Sequence, residues 1–377
     1  FNIRLIDCPD FTAVSNRLGD EHEIVVHDGT IRSNRIQRDP RNAMGTNLAI
    51  VLPEGGDLDA IAWRRHARSE PGPDDVEVAV HAAGLNFRDV LNALGAYPGD
   101  AGQPGGECTG VVTRVGANVS EVTVGQRVMA MADGCFQSFV NLPAYRVMPI
   151  DEALTDAEAA TLPVAYLTAW WALEACASLQ PGERVLIHAV SGGVGMAAAN
   201  IALARGAIVY GTASDPKWDA VRQWGVENVY NSRDLSFADA IRNDTNGEGV
   251  SVVLNSLSGD FIPTSLDLLS QQGRFVEIGK RGIWSLEQMK EARDDVAYHV
   301  FDLAQIANER IDEFRAAFQH IADGIARKDV RPLPLTERSI HDAAVTFRAM
   351  ARAEHIGKNV LVFPRPIDLA SGPILIT

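Results

Sequence analysis

Cysteine is scarce and scattered in this sequence. Only four are present in 377 residues, Cys8, Cys108, Cys135 and Cys176. None belongs to a CxxC pair, so neither a disulfide framework nor a structural zinc knuckle is expected, and a reducing cytoplasm is the default setting. Positive charge is also short: 34 Lys and Arg against 49 Asp and Glu leave a formal net charge of −15. With no basic run, the chain lacks what a nucleic-acid partner requires, clustered cations to neutralise phosphates. Long hydrophobic runs are missing too. The most apolar stretch, 157–175, carries Glu158, Pro163 and Glu174, which suits paired buried helices and not a membrane span. The first residues, Phe1-Asn2-Ile3-Arg4, offer no starting Met, basic segment or apolar segment. Neither a signal peptide nor a natural start is expected, and the chain reads as an excised piece.

What is present is organised in blocks. A length of 377 residues exceeds what one core usually serves, so two lobes are expected. Glu23 to His27 reads as a strand with Asp28-Gly29 as its turn. From about Leu48 to Val147 short strands dominate, at Val76–Val80, Gly110–Val115 and Gln126–Ala130. Separated by glycine turns, they suggest a small barrel. Near residue 155 the pattern changes: Thr155-Asp156-Ala157-Glu158 matches a capping box and opens a helical stretch. Beyond Pro181-Gly182, strands are expected at Arg184–Ala189, Ile208–Ala213, Val229–Tyr230, Val250–Leu254 and Arg274–Gly279. They alternate with helices at Gly193–Ala204, Lys217–Gly225 and Ser265–Ser270. Such alternation implies an α/β lobe built on a doubly wound parallel sheet. Ile311, Phe314, Phe318, Ile321 and Ile325 then mark a helix with one buried face, and Asn359–Phe363 reads as the last strand of this unit.

The strongest local signal runs from Val185 to Ala197, where an apolar strand enters Ser191-Gly192-Gly193-Val194-Gly195 and passes straight into a helix. Backbone N–H groups and the helix dipole face such a turn, and glycine lets a pyrophosphate approach the backbone. The end of the second strand selects the dinucleotide, because an acid there would hydrogen-bond the ribose 2′-OH of NAD. Here Ser214 and Lys217 can meet a 2′-phosphate, and Arg233, following Tyr230-Asn231-Ser232, can complete a cationic clamp. Asp215 argues the other way. NADPH is the favoured cofactor.

Several motifs together resemble one family, the medium-chain dehydrogenase/reductases of the quinone-oxidoreductase branch, and within it the enoyl reductases of modular polyketide synthases. They are Gly84-Leu85-Asn86-Phe87-Arg88-Asp89-Val90-Leu91, Gly105-Gly106-Glu107, Leu162-Pro163-Val164 through Thr168-Ala169-Trp170, the glycine loop, and Val253 to Gly259. Gly273 to Lys280, Phe301-Asp302-Leu303 and His355-Ile356-Gly357-Lys358 follow in the same order. The resemblance implies a Rossmann nucleotide-binding domain with a GroES-like β-barrel substrate-binding domain. It divides the chain into an end fragment of a ketoreductase structural half (1–44), a first part of the substrate domain (45–165), the NADPH-binding domain (166–305), a return segment of the substrate domain (306–364), and a linker with the first strand of a ketoreductase catalytic half (365–377). Zinc-dependent members place a Cys and a His where this chain has Asn86 and Gly106, so no catalytic zinc is expected.

The reaction implied is NADPH-dependent reduction of the α,β double bond of an enoyl thioester held on an acyl carrier protein, with neighbouring ketoreductase and dehydratase domains in the same synthase. Hydride goes to Cβ and a proton to Cα, so the site needs an oxyanion donor and an acid. The resemblance points to Lys280 as proton donor with Asp302 as its partner, and to Tyr97 as a second donor that influences methyl-branch configuration. It points to Asn86 facing the nicotinamide amide or substrate carbonyl, and to Thr168, Asn255, Ser256, Leu257, Ile278 and Gly279 lining the cofactor. Each also has a plain reading: Lys280 and Asp302 as a stabilising pair, Tyr97 as a packing residue. His188 and His355 are expected to be a satisfied core residue and a contact residue. Two other functions stay open: a free-standing quinone or enoyl-CoA reductase, and a non-catalytic NADPH-binding structural protein on the same fold.

Overall fold

The computed structural model describes residues 24–27, 30–33, 46–53 and 55–364. The chain separates into two compact units, Asn47–Phe363 forming the larger and Phe1–Thr46 with Pro364–Thr377 the smaller. In the smaller unit β1 (Ile24–His27) pairs antiparallel with β2 (Thr30–Ser33). The rest of the two ends, on which the expected ketoreductase fragments fall, lies outside the described residues.

The larger unit begins with the strand-rich region. It contains β3 (Thr46–Val51), β4 (Ala62–Ala67), β5 (Asp75–Gly84), β6 (Cys108–Val115), β7 (Arg127–Ala130), β8 (Phe139–Pro143) and β9 (Val147–Pro149). Alternation drives it: Val76, Val78 and Val80 of β5 are buried with Val112 and Val128 in one apolar core. The nucleotide lobe follows, with β10 (Arg184–Ile187), β11 (Ile208–Ala213), β12 (Asn228–Asn231), β13 (Val250–Asn255), β14 (Leu269–Glu277) and β15 (Ala297–Val300). These six are parallel, in the order β12-β11-β10-β13-β14-β15. The order reverses beside β10, which places the ligand crevice at the carboxyl end of that strand, where the glycine loop lies. The capping box at Thr155 and Glu158 is formed, and the helix Gly193–Ala204 has the bounds expected from the sequence.

Two expectations change. Residues 265–270 do not form one helix: the helix is Phe261–Leu266, and β14 starts at Leu269. The reason is pairing, since Leu268 O accepts from Val250 N and Leu269 lies opposite Val250, which draws the chain into the sheet. Segment 306–364 also divides. The helix Ile311–Ala326 buries Phe314 and Phe318 in the core shared with the helix Pro163–Trp170, and Phe314 meets Tyr145 of the strand-rich region edge-on. Only β16 (Leu335–Ser339) and β17 (Lys358–Val362) return to the other sheet, whose order is β16-β17-β5-β6-β7-β9 with β8 on β5.

Candidate active site

The glycine loop can be built from its steric constraints. A Cβ at Gly195 would lie 2.5 Å from Ala189 O, and one at Gly193 would lie 2.7 Å from Lys358 Cδ, so both positions require glycine for close approach. Gly357 N donates to Ser191 O at 2.8 Å, which joins the start of β17 to the loop. The helix Gly193–Ala204 makes its first internal bond from Met196 N to Gly192 O. The N–H groups of Gly193, Val194 and Gly195 therefore have no partner within the helix, the condition for binding an anion. A pyrophosphate fits this loop.

At the end of β11, Ser214 opens the next turn with its hydroxyl uncommitted to the cap. Lys217 Nζ donates to Ala353 O and His355 O, both at 2.6 Å. Burial and then the charge of Arg233 pull the Lys217 ammonium below its ordinary value. Tyr230, expected to line the cofactor, donates its hydroxyl to Asp244 at 2.5 Å and stacks its ring on Tyr210. Thr168 lies on the helix Pro163–Trp170, half-buried, with Ser256, Leu257, Ile278 and Gly279 similarly half-buried beyond β13 and β14. Asn255 is fully buried, its Nδ2 donating to Glu277 at 2.6 Å and to Leu257 O at 2.7 Å. It shapes the loop from beneath.

Asn86 is also engaged by the protein. Its Oδ1 accepts from Lys358 Nζ at 2.7 Å, and its Nδ2 donates to Glu107 at 3.0 Å and to Gly84 O at 3.4 Å. With both N–H bonds in use, no donor remains for a substrate carbonyl, which corrects that part of the expectation. Sequence reasoning misses the reason, a buried ion pair between Lys358 and Glu107, at 2.5 Å. Asp89 continues this polar floor, accepting from Asn86 N and Gly105 N at 2.8 Å each, and burial raises its carboxyl to about 6. Gly106 faces Asn86 Nδ2 and Val164. The residues do not fit a zinc ion, because an ammonium already occupies the space against Asn86 and Glu107.

The acid–base group assembles from three distant segments. Asp302 follows β15 and caps the helix Leu303–Glu309, its Oδ1 accepting from Ala304 N at 2.8 Å and Gln305 N at 3.2 Å. The cap engages Oδ1 and leaves Oδ2 on the other side of the carboxylate. There it accepts from Lys280 Nζ at 2.9 Å and from Tyr97 OH at 3.3 Å. Burial alone would raise Asp302, but the Lys280 hydrogen bond and charge outweigh it and hold the carboxyl below its ordinary range. Tyr97 moves up, through burial and then the charge of Asp302. Arg88 supports the tyrosine, lying 5.4 Å from its ring centre while donating to Ala101 O at 2.8 Å. The structure thus joins the candidate donors through one carboxylate oxygen.

Both tempting histidines are accounted for. His188 is buried between Thr212 and Ser265, at 3.0 and 2.8 Å, and burial pushes it down to about 3. His355 offers its carbonyl to Lys217, and burial lowers its ring to about 4.

Among the described residues no helix is long and apolar enough to cross a membrane. Two family models match, one described as an alcohol dehydrogenase GroES-like domain over residues 72–152 and one as a zinc-binding dehydrogenase over residues 193–323. A phenolphthiocerol/phthiocerol polyketide synthase of Mycobacterium tuberculosis is 43% identical over 340 residues, 89% of this chain but 16% of that protein. The chain thus spans about a sixth of the length of that curated relative. Among solved structures, the CurK enoyl reductase is 40% identical with a TM-score of 0.81, the match covering 84% of this chain and 99% of that one. The mycobacterial protein Rv1454c, solved with NADPH, is 25% identical with a TM-score of 0.77, over 84% of this chain and 99% of that one. By fold, sequence and the architecture of its cleft, the chain belongs to the enoyl reductases of polyketide synthases, oxidoreductases of the medium-chain dehydrogenase/reductase superfamily.

Proposed function

We propose that this chain uses NADPH to reduce the α,β double bond of an enoyl thioester carried on an acyl carrier protein during polyketide elongation. The observation that carries the reading is the convergence of Lys280 and Tyr97 on Asp302 Oδ2, beside the carboxyl ends of a sheet whose glycine loop suits a dinucleotide. NADPH bound there would supply hydride to Cβ. The protein supplies the rest. Lys280, held against Asp302 at 2.9 Å, offers a proton toward Cα as negative charge gathers on the thioester oxygen. Tyr97 offers a proton from its own loop, so the two donors can address different faces of the enolate. Ser214, Lys217 and Arg233 favour a 2′-phosphate, and solution of the related Rv1454c with NADPH supports that choice.

The length of the synthase relatives supports neighbouring domains in the same protein, and a ketoreductase and a dehydratase are the sources of the enoyl substrate in this reading. NADPH oxidation should accompany reduction of a crotonyl group on carrier protein and on a short thioester analogue. NADH should serve far less well. Equal use of both nucleotides would overturn the cofactor reading, and no turnover of either thioester would overturn the reaction.

A further inference from the structure

Beneath the loops that follow β13 and β14 lies a carboxylate to which the mechanism gives no role. Glu277 ends β14 and is fully buried. Its Oε2 accepts from Asn255 Nδ2, and its Oε1 accepts from Gly279 N, both at 2.6 Å. Asn255 then clasps its own loop, donating to Leu257 O at 2.7 Å and accepting from Leu257 N at 3.2 Å. A further bond, Ile278 N to Asn255 O at 2.9 Å, crosses between the same strand ends. One side chain therefore ties the exit of β13 to the exit of β14. In register, Glu277 lies opposite Val300 of β15, two residues before Asp302. Lys280 leaves the turn that Glu277 anchors at Gly279, and Lys280 must reach Asp302 from that turn.

A carboxylate in a parallel strand between Val276 and Ile278 is out of character for a core position. Burying it carries a desolvation cost that a purely apolar residue would avoid. Both its oxygens face donors, which an apolar side chain could not satisfy. We propose that Glu277 is a positioning residue, whose carboxylate locks the 255–257 and 278–280 loops together and thereby sets the Lys280 ammonium against Asp302. Glutamine at 277 cannot do this. Its amide must present N–H either to Asn255 Nδ2 or to Gly279 N, placing donor against donor. Exchanging the partners, Asn255→Asp with Glu277→Gln, restores one acceptor and one donor across the 255–277 contact, although it gives up the donor to Leu257 O.

The test reads Lys280 directly. The assignment of Lys280 as proton donor rests on the function proposed above, but the accessibility of its amine does not. An amine-modifying reagent, trinitrobenzenesulfonate, is applied to the intact chain, and labelling of Lys280 is followed by peptide mass spectrometry. Asp302→Asn provides the reference for a released lysine. Glu277→Gln should raise Lys280 labelling several-fold toward that reference, and the Asn255→Asp/Glu277→Gln pair, which lacks only the bond to Leu257 O, should bring it back most of the way to the unmodified level. Wild-type labelling in Glu277→Gln, with Asp302→Asn elevated, would overturn the proposal. So would an exchange pair that stays as reactive as Glu277→Gln. If Glu277→Gln fails to fold, a folded exchange pair with near-wild-type labelling supports the proposal, and an exchange pair that fails as well overturns it. In turnover, Glu277→Gln should lower kcat more than it raises KM for NADPH, with the exchange pair recovering kcat. Failure of the unmodified protein to reduce any enoyl thioester would sink the proposed function and leave the labelling result standing.

Discussion

Two lysine–carboxylate pairs stand in this molecule with the same chemistry and different surroundings. Lys358 and Glu107 are 3% and 0% exposed, whereas Lys280 and Asp302 keep 28% and 31% of their side-chain surface. In the first pair the surrounding bonds close the network: Glu107 also accepts from Val164 N at 2.8 Å and from Asn86, and Lys358 also holds Asn86. In the second, one carboxylate oxygen serves a lysine and a tyrosine that both face open space. Burial makes the first pair architecture. Partial exposure suits the second to the proton transfer proposed for it, since water can reach the pair.

The largest expected effect tests the buried pair. Lys358→Met should lower the unfolding free energy by about 3–5 kcal/mol, because it leaves the buried Glu107 charge without its cation. Adding Glu107→Gln should recover part of that loss, measured by urea denaturation of both variants. If Lys358→Met costs no more than an exposed pair would, the contrast between the two sites fails.

Turnover tests the other pair. Lys280→Ala should reduce kcat by about 10²-fold, the lower end of what a general acid contributes, since water can reprotonate an enolate in an open site. Asp302→Ala should behave alike, and the double variant should lose little more than the worse single one. NADPH affinity should hardly change, while the solvent isotope effect should rise. Normal turnover and isotope effects in both variants would make this pair structural too. Tyr97→Phe should then alter the configuration of an α-methyl product more than the rate.

A third lysine sharpens the comparison. Lys217 is half-buried and holds two backbone carbonyls, with no carboxylate among its hydrogen bonds, so it retains positive charge for a ligand. Lys217→Ala should narrow the preference for NADPH over NADH by about 1–3 kcal/mol, the range of a charged hydrogen bond. Titrating both nucleotides against the variant measures it. An unchanged preference would shift the selection to Ser214 and Arg233.

What is legible in the sequence follows the range of the interactions. Glycine spacing, strand alternation and the capping box are local, and these place the nucleotide sheet, the loop at 191–195 and the helix behind it. Lys280 and Asp302 lie at the carboxyl ends of neighbouring parallel strands, so their meeting follows from sheet order once the sheet is known. The Tyr97 contact spans 205 residues and the Lys358 contact with Glu107 spans 251. No local pattern announces them. Asn86 looks ligand-facing in the sequence because its partners are invisible at that range. One signal is available: Glu277 interrupts an apolar stretch between Val276 and Ile278, and a charge there needs a partner.

The smallest expected effect concerns acid. Asp302 has a carboxyl held below its ordinary value, so its contribution to stability is present above the unfolded value of about 3.9 and disappears as pH falls through the lower folded value. With a third of its side chain exposed, that contribution is screened and should stay below about 1 kcal/mol. Asp302→Asn isolates the charge, because asparagine caps the helix at 303–309 as well as aspartate does. Unfolding midpoints between about pH 6 and pH 3 should therefore fall slightly less steeply in this variant than in the unmodified chain. Added salt should shrink the difference further, as it does for exposed charges. A gap of several kcal/mol would mean that Lys280 and Asp302 are as deeply committed to the fold as Lys358 and Glu107. The division between an architectural pair and a reactive one would then have to be abandoned.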